Sequence, residues 1–152
     1  MNLPDAIRSA TDLADALQRI ITHFSADRGT IHMLESDGLL HLRAASRGIP
    51  EVVLNTVRTV PVGKGMAGLA VERKQPVTVC NLQTDVSGDV RPGAKLTGLE
   101  GAIVVPIFRG DGDEAVGALG IANRTERSFT EDETALLIEC GRALASCPAA
   151  RA

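Results

Sequence analysis

The stretch VPVGKGMAGLAVERKQPVTVCNL, Val60 to Leu82, decides how this chain folds. Val57 to Val62 has the β-branched content of a short strand, and Pro61, which cannot donate to a ladder, puts that strand at an edge or ends it. Gly63 and Gly65 allow a tight turn, which opens a short helix over about Gly65 to Lys74. Val77 to Cys80 then reads as a further strand.

Hairpins flank this unit on both sides. Upstream, Thr30 to Glu35 and Leu39 to Ala45 are strands joined by the turn Ser36-Asp37-Gly38. Strand alternation puts Leu40, Leu42 and Ala44 on one face and Leu39, His41 and Arg43 on the other. Downstream, Ala102 to Arg109 and Glu114 to Asn123 form a second hairpin around Gly110-Asp111-Gly112-Asp113, an acidic run that reads as turn chemistry. Helices close both ends. Leu13, Leu17, Ile20, Ile21 and Phe24 make one helical face that ends near Ser25. Thr130 and Glu133 form a capping box after Phe129, and Leu136, Leu137, Cys140, Leu144 and Cys147 continue as an apolar stripe. Strands in adjacent hairpins with helices at both ends predict an α+β domain on an antiparallel sheet, its terminal helices covering one face.

The second face needs another cover. Residues 81–100, NLQTDVSGDVRPGAKLTGLE, have no clear period and carry three glycines, one proline and five charges. Irregular segments of about 20 residues inside a compact domain are usually functional. With Val90, Leu96 and Leu99 as apolar anchors, this one reads as a lid.

Composition narrows the function. The 152 residues suffice for one core and no second one. Acidic residues outnumber basic ones, 19 to 16, for a net charge of −3, and the aromatics are Phe24, Phe108 and Phe129 alone. Nucleic-acid binding wants a basic excess and stacking faces, so no nucleic-acid partner is expected. No apolar run approaches the ~20 residues of a membrane span, and Asp5 and Arg8 stand where a signal peptide would be apolar. Cys80, Cys140 and Cys147 form no CxxC or Cys/His cluster, which argues against zinc. A cytoplasmic protein with free thiols is expected.

Four stretches together resemble the GAF family of small-molecule-sensing domains: Val60 to Leu82, GAIVVPIF (Gly101 to Phe108), VGALGIANR (Val116 to Arg124) and FTEDETALL (Phe129 to Leu137). The resemblance spans roughly residues 10–146. It implies a six-stranded antiparallel sheet with the N- and C-terminal helices on one face, and a short helix plus long loop over a ligand pocket on the other. It also implies pairing of two copies through the terminal helices. On this basis residues 1–9 are an N-terminal extension, 10–147 the GAF-like domain and 148–152 a tail.

Several specific chemistries are disfavoured. Gly63-Lys64-Gly65-Met66-Ala67-Gly68 spells GxGxxG with Asp85 further on, but the repeated βαβ units of a dinucleotide fold are missing. Free methionine-(R)-sulfoxide reductases, enzymes of the resembled family, carry one cysteine in the glycine-rich helix start and another in the loop before the "VP" strand. Here those positions are Ala67 and near Lys95, so the attacking and resolving thiols are absent and no enzyme activity is expected. The family's cyclic-nucleotide signature is partly met by Asn123, Arg124, Phe129, Asp132 and Glu133, with the Phe-to-Asp gap one residue short and no Trp or Tyr for purine stacking. His32 and His41 sit on paired strands and could meet on one face as metal or haem ligands, or simply be satisfied strand histidines. Cys80 could sense oxidants if Arg91, Lys95 or a helix N-terminus activated it, or be a small buried hydrophobe.

The expectation is therefore a non-catalytic sensory domain in intracellular signalling, binding an unknown small molecule, with no cofactor and no metal. Asn81, Asp85, Arg91 and Lys95 are the polar candidates for its pocket, and Met66, Val79, Cys80 and Val104 the wall. Its output would pass through a homodimer or a downstream signalling protein. The alternatives are a dimerisation scaffold with a vestigial pocket, and a thiol-dependent redox protein using Cys80.

Overall fold

Two capped helices start the chain in the computed structural model, which describes residues 2–84 and 98–151. Helix α1 (Leu3–Arg8) is capped by Asn2, whose side chain accepts from the Asp5 N–H at 2.9 Å. The extension expected before the domain is thus helical, and it docks on the core through the fully buried Ile7. Helix α2 (Leu13–His23) is capped by Asp12, which accepts from the Asp15 N–H at 2.7 Å. Its buried residues Leu13, Leu17, Ile20 and Ile21, with Phe24 just beyond, are the face that periodicity predicts.

The strands are β1 (Arg28–Leu34), β2 (Leu39–Ala45), β3 (Thr59–Pro61), β4 (Val77–Val79), β5 (Gly101–Phe108) and β6 (Ala115–Asn123). They form one antiparallel six-stranded sheet in the order β3-β2-β1-β6-β5-β4. The hairpins β1–β2 and β5–β6 join through the long-range β1–β6 pairing, and the short strands β3 and β4 take the edges. Pro61 ends β3 at one edge, where its missing N–H costs no ladder bond.

Three further helices complete the fold: α3 (Glu51–Val57), α4 (Gly65–Arg73) and α5 (Glu131–Ser146). The capping box of α5 is complete, with the Glu133 N–H donating to Thr130 Oγ1 at 3.0 Å and the Thr130 N–H to Glu133 Oε1 at 2.9 Å. The acidic run is a hairpin tip as expected, and Arg142 of α5 pins it by donating to the Gly110 and Gly112 carbonyls at 2.7 and 2.8 Å.

Helices α1, α2 and α5 cover one face of the sheet. There Ile31, Ile103, Val105, Ile107, Leu119 and Ile121 pack against Leu17, Ile20, Leu137, Cys140 and Leu144 in the main core. Burying each such side chain fully is worth about 1.5–3 kcal/mol. Among the described residues no helix is long and apolar enough to cross a membrane.

Two expectations need correction. Leu40, Leu42 and Ala44 do not share a face: Ile31 pairs with Ala44 but His32 pairs with Leu42, so Arg43 is bulged out of the ladder and the alternation inverts there. Ala44 therefore joins the helix-side core while Leu40 packs on the opposite face with Val60 and Val71. The strand expected over Val57 to Val62 shrinks to three residues, because Glu51–Val57 forms α3, capped only by Pro50 and with Val53 as its one buried residue. A single buried position leaves no apolar period to detect. The second face is consequently roofed by two regular elements, α3 and α4, and by the ends of the long loop.

Candidate functional site

The inner strands are lopsided in volume. On the helix side β5 and β6 present Ile103, Val105, Leu119 and Ile121; on the other side they present Ala102, Val104, Ala118, Gly120 and Ala122. Because successive side chains alternate faces, the sequence Gly117-Ala118-Leu119-Gly120-Ile121-Ala122 builds a thick layer on one side and a hollow on the other. No Cβ can be added freely at Gly120: it would lie 3.2 Å from Val104 Cγ2.

Above this floor lies a cavity of about 290 Å³. Val53, Thr56 and Val57 of α3 and Gly65, Met66 and Ala67 of α4 form its roof. Leu82 and Leu99, from the two ends of the long loop, close one side. Helix α4 is held low over the sheet because Gly68 lacks a side chain: a Cβ there would meet the Pro61 carbonyl oxygen at 2.3 Å.

Among the described residues the lining is mostly apolar, its polar members being Arg28, Thr30 and His32 on β1 and Thr56 on α3. Among the described residues Arg28 is the one charged member of the lining. The Arg28 guanidinium donates from Nη1 to the Asp27 carbonyl at 2.7 Å and lies over Gly48, where a Cβ would be 2.4 Å from Nη2. His32 is 3% exposed, and its Nε2 is 2.8 Å from the Val57 carbonyl oxygen at the end of α3. A carbonyl only accepts, so Nε2 carries the proton and Nδ1 the lone pair. Burial pushes the His32 pKa below the usual value of 6.5, with the Val57 hydrogen bond pulling the other way. The ring is neutral at pH 7.

Of the residues expected in the pocket, Met66 and Val104 line it. Val79 packs behind it, in a cluster with Leu82, Leu99 and Ala102. Cys80 is exposed and does not line it. Asn81 is buried, but it clasps the neck of the long loop: its Nδ2 donates to Glu126 Oε1 at 2.8 Å and its Oδ1 accepts from the Gln83 N–H at 2.9 Å. The Leu82 N–H to Glu100 carbonyl bond (2.6 Å) and the Gln83 Nε2 to Leu99 carbonyl bond (2.7 Å) complete that neck. Asp85, Arg91 and Lys95, like the anchors Val90 and Leu96, lie outside the described residues. His32 and His41 do not meet: His41 pairs with Met33, one residue out of phase with His32, and bonds Asp37 at 2.7 Å on the opposite face. Among the described residues no group of three or more His, Cys, Asp or Glu side chains is placed to hold a metal ion. Ala67, the position at which the sequence analysis sought a reductase-type thiol, lines the cavity with a methyl group.

The polar members that the sequence reading did not place in the pocket are Arg28, Thr30 and His32, at i, i+2 and i+4 on the cavity side of one strand; of these it had named His32, as a possible metal or haem ligand or a satisfied strand histidine. Their spacing is visible in the sequence; what is not visible is that this side of β1 faces a hollow.

The chain belongs to the GAF domain family, whose model matches residues 8–147. Its fold is shared by the GAF domain of a phosphoenolpyruvate-protein phosphotransferase from Coxiella burnetii, at 22% identity and TM-score 0.73, over 94% of this chain and 86% of that one. The corresponding domain from Acinetobacter gives 19% identity and TM-score 0.73, over the same shares of the two chains. A free methionine-R-sulfoxide reductase from Neisseria meningitidis, solved with its substrate, gives 19% identity and TM-score 0.72, over 94% of this chain and 81% of that one. At these identities the likeness is one of fold. No curated protein matches the chain in sequence.

Proposed function

We propose that this chain is a non-catalytic regulatory GAF domain of intracellular signalling that binds a small molecule in the cavity between β1, β5, β6 and the α3–α4 roof, in a reducing cytoplasm. The observation that carries this reading is the one-sided hollow itself. A cavity of about 290 Å³ leaves its apolar walls without packing partners, contacts that a close-packed domain would otherwise make. Small residues placed in register on two strands, Ala102 on β5 beside Gly120 and Ala122 on β6, are a costly arrangement for a scaffold. A protein of the same fold, the Neisseria reductase, was solved in complex with its substrate, which supports a small-molecule role for this fold.

Catalysis is not part of the proposal. The cavity is lined by Ala67 rather than a thiol, Cys80 lies off it, and Cys140 is a core residue whose thiol burial pushes up to about 12. Output follows if ligand favours one arrangement of roof and sheet, since a ligand shifts an equilibrium only by its differential affinity. The outer sides of α1, α2 and α5 are where a second copy or a downstream protein would read that shift.

A thermal-shift screen of metabolites tests the reading. A ligand at a hundredfold its Kd adds about 2.7 kcal/mol, a Tm rise of roughly 5–11 °C for a chain of this size, and Ala122→Leu, which fills the floor, abolishes it. A screen without hits, or hits indifferent to Ala122→Leu, would favour the scaffold alternative. Ligand turnover lost in Cys80→Ser would favour the redox one.

A further inference from the structure

Arg28 and His32 give the cavity an electrostatic polarity that its apolar walls do not. The Arg28 guanidinium has five N–H donors, and the Asp27 carbonyl takes one of them. Among the described residues no carboxylate pairs with Arg28, and the Asp27 carboxylate is itself taken by the Arg124 N–H at 2.7 Å. At the other end, His32 spends Nε2 on Val57. Among the described residues no fully buried side-chain nitrogen or oxygen lacks a partner, and no hydrogen bond joins Nδ1 to any of them. Nδ1 therefore opens onto the cavity as an acceptor. The two groups stand four residues apart on one extended strand, about 13 Å between Cα atoms at ~3.3 Å per residue. Between them lie Gly120, Ala122 and Val104 below and Val53, Val57 and Met66 above.

Each end selects a chemistry. A lone guanidinium at an apolar rim matches one carboxylate in bidentate fashion; a phosphate would bring a second negative charge for which the described lining residues supply no second cation, at the cost of desolvating it unpaired. A neutral imidazole lone pair wants an O–H or N–H donor, and the described lining residues offer an ammonium there no counter-charge. At roughly 30 Å³ of liquid volume per water, the cavity holds about ten non-hydrogen atoms.

Resting on the reading of this cavity as a ligand site, we propose that the ligand is a small apolar monocarboxylate with a hydroxyl at the end remote from the carboxylate. The carboxylate pairs with the Arg28 guanidinium, the hydroxyl donates to Nδ1 of His32, and the apolar body lies between the Gly120–Ala122 floor and the α3–α4 roof.

Titration calorimetry with three rigid probes tests this: 4-hydroxyphenylacetate, phenylacetate, which lacks the hydroxyl, and 4-hydroxyphenethyl alcohol, which lacks the carboxylate. The first binds, and the alcohol binds at least about tenfold more weakly, as loss of a charge-assisted hydrogen bond requires. Phenylacetate binds about three- to tenfold more weakly, as loss of a neutral one requires. Arg28→Gln brings the acid to the level of the alcohol and leaves the alcohol unchanged. His32→Leu erases the preference for the hydroxyl; because it also releases Val57, the two acids compared on the unmodified chain carry that arm independently. An alcohol that binds as tightly as the acid, or an Arg28→Gln chain that keeps full affinity for the acid, overturns the proposal. If none of the probes binds while the metabolite screen yields a ligand lost in Ala122→Leu, this chemistry is wrong and the cavity reading stands. If the screen is blank too, both fall.

Discussion

Filling the hollow should stabilise the protein while disabling it, and Ala122→Leu puts a magnitude on this. Ala122 pairs with Ala102 on one side and Arg28 on the other, on the strand face that floors the cavity. Leucine adds three carbons, worth about 2.4 kcal/mol at ~0.8 kcal/mol per buried CH₂. Ordering the longer side chain returns about 0.5–1 kcal/mol. A net gain of about 1.5 kcal/mol follows, a rise in Tm of roughly 3–6 °C for a chain of this length. In a solid core the same substitution would cost about 1–3 kcal/mol through overpacking. The sign therefore reports whether the space is real. Urea denaturation of the two proteins, without ligand, measures it. A loss of stability of 1 kcal/mol or more would refute the reasoning, as would ligand-induced stabilisation that survives the substitution.

Three further outcomes follow from the same structure. Below pH 6.5 the unfolded chain takes up a proton on His32 that the folded chain resists, so the stability His32 contributes is complete above that pH and falls with pH toward the lowered folded value. One proton limits the slope to at most about 1.4 kcal/mol per pH unit, and His32→Gln flattens it in urea titrations between pH 7 and 5; a profile identical in both proteins would contradict this. Arg127 donates to Asn123 Oδ1 at 2.8 Å and Glu133 Oε2 at 2.7 Å, and its guanidinium lies over the Phe129 ring, 4.4 Å from the centroid. Arg127→Ala should cost about 2–3 kcal/mol, because it unpairs the buried Asn123 oxygen, whereas the exposed ion-pair partner Arg8→Ala should cost under about 0.5 kcal/mol; equal costs would refute that ranking. A thiol reagent should label one cysteine per native chain, the exposed Cys80, and all three in denaturant; Cys80→Ser should abolish native labelling and leave stability within about 0.5 kcal/mol.

Most of the scaffold was legible because its elements carry strong local signals. The α2 face has five apolar positions in phase, and the α5 start has a capping box that the structure reproduces at both hydrogen bonds. The two hairpins carry turn residues at their tips, and Pro61 marks an edge that the sheet order confirms. What failed had weak or non-local causes. Helix α3 buries Val53 alone, so it leaves no periodic trace, and its roof position depends on contacts with β1 that only the fold creates, such as His32 with Val57. The bulge at Arg43 depends on where the β1–β2 register must slip to put both Ala44 and Leu40 in cores on opposite sides.

The site was hardest to read for a related reason. Charged and irregular residues draw attention, and they pointed to the 81–100 loop, where Asn81 proves to be a clasp rather than a contact. A binding cavity, however, is defined first by volume that is missing. That signal was present in the strand Ala115–Asn123, where small residues at 118, 120 and 122 alternate with Leu119 and Ile121. An ordinary half-buried strand alternates apolar with polar; one that alternates large with small is buried on both faces, with one face kept thin. The partner strand repeats the device at Ala102 against Ile103, with Ala102 in register with Ala122, as a hollow spanning two strands requires. Polar groups acquire meaning only against that background: Arg28 and His32 become notable because they are the side chains on β1 whose free donors and acceptor face the thinned region.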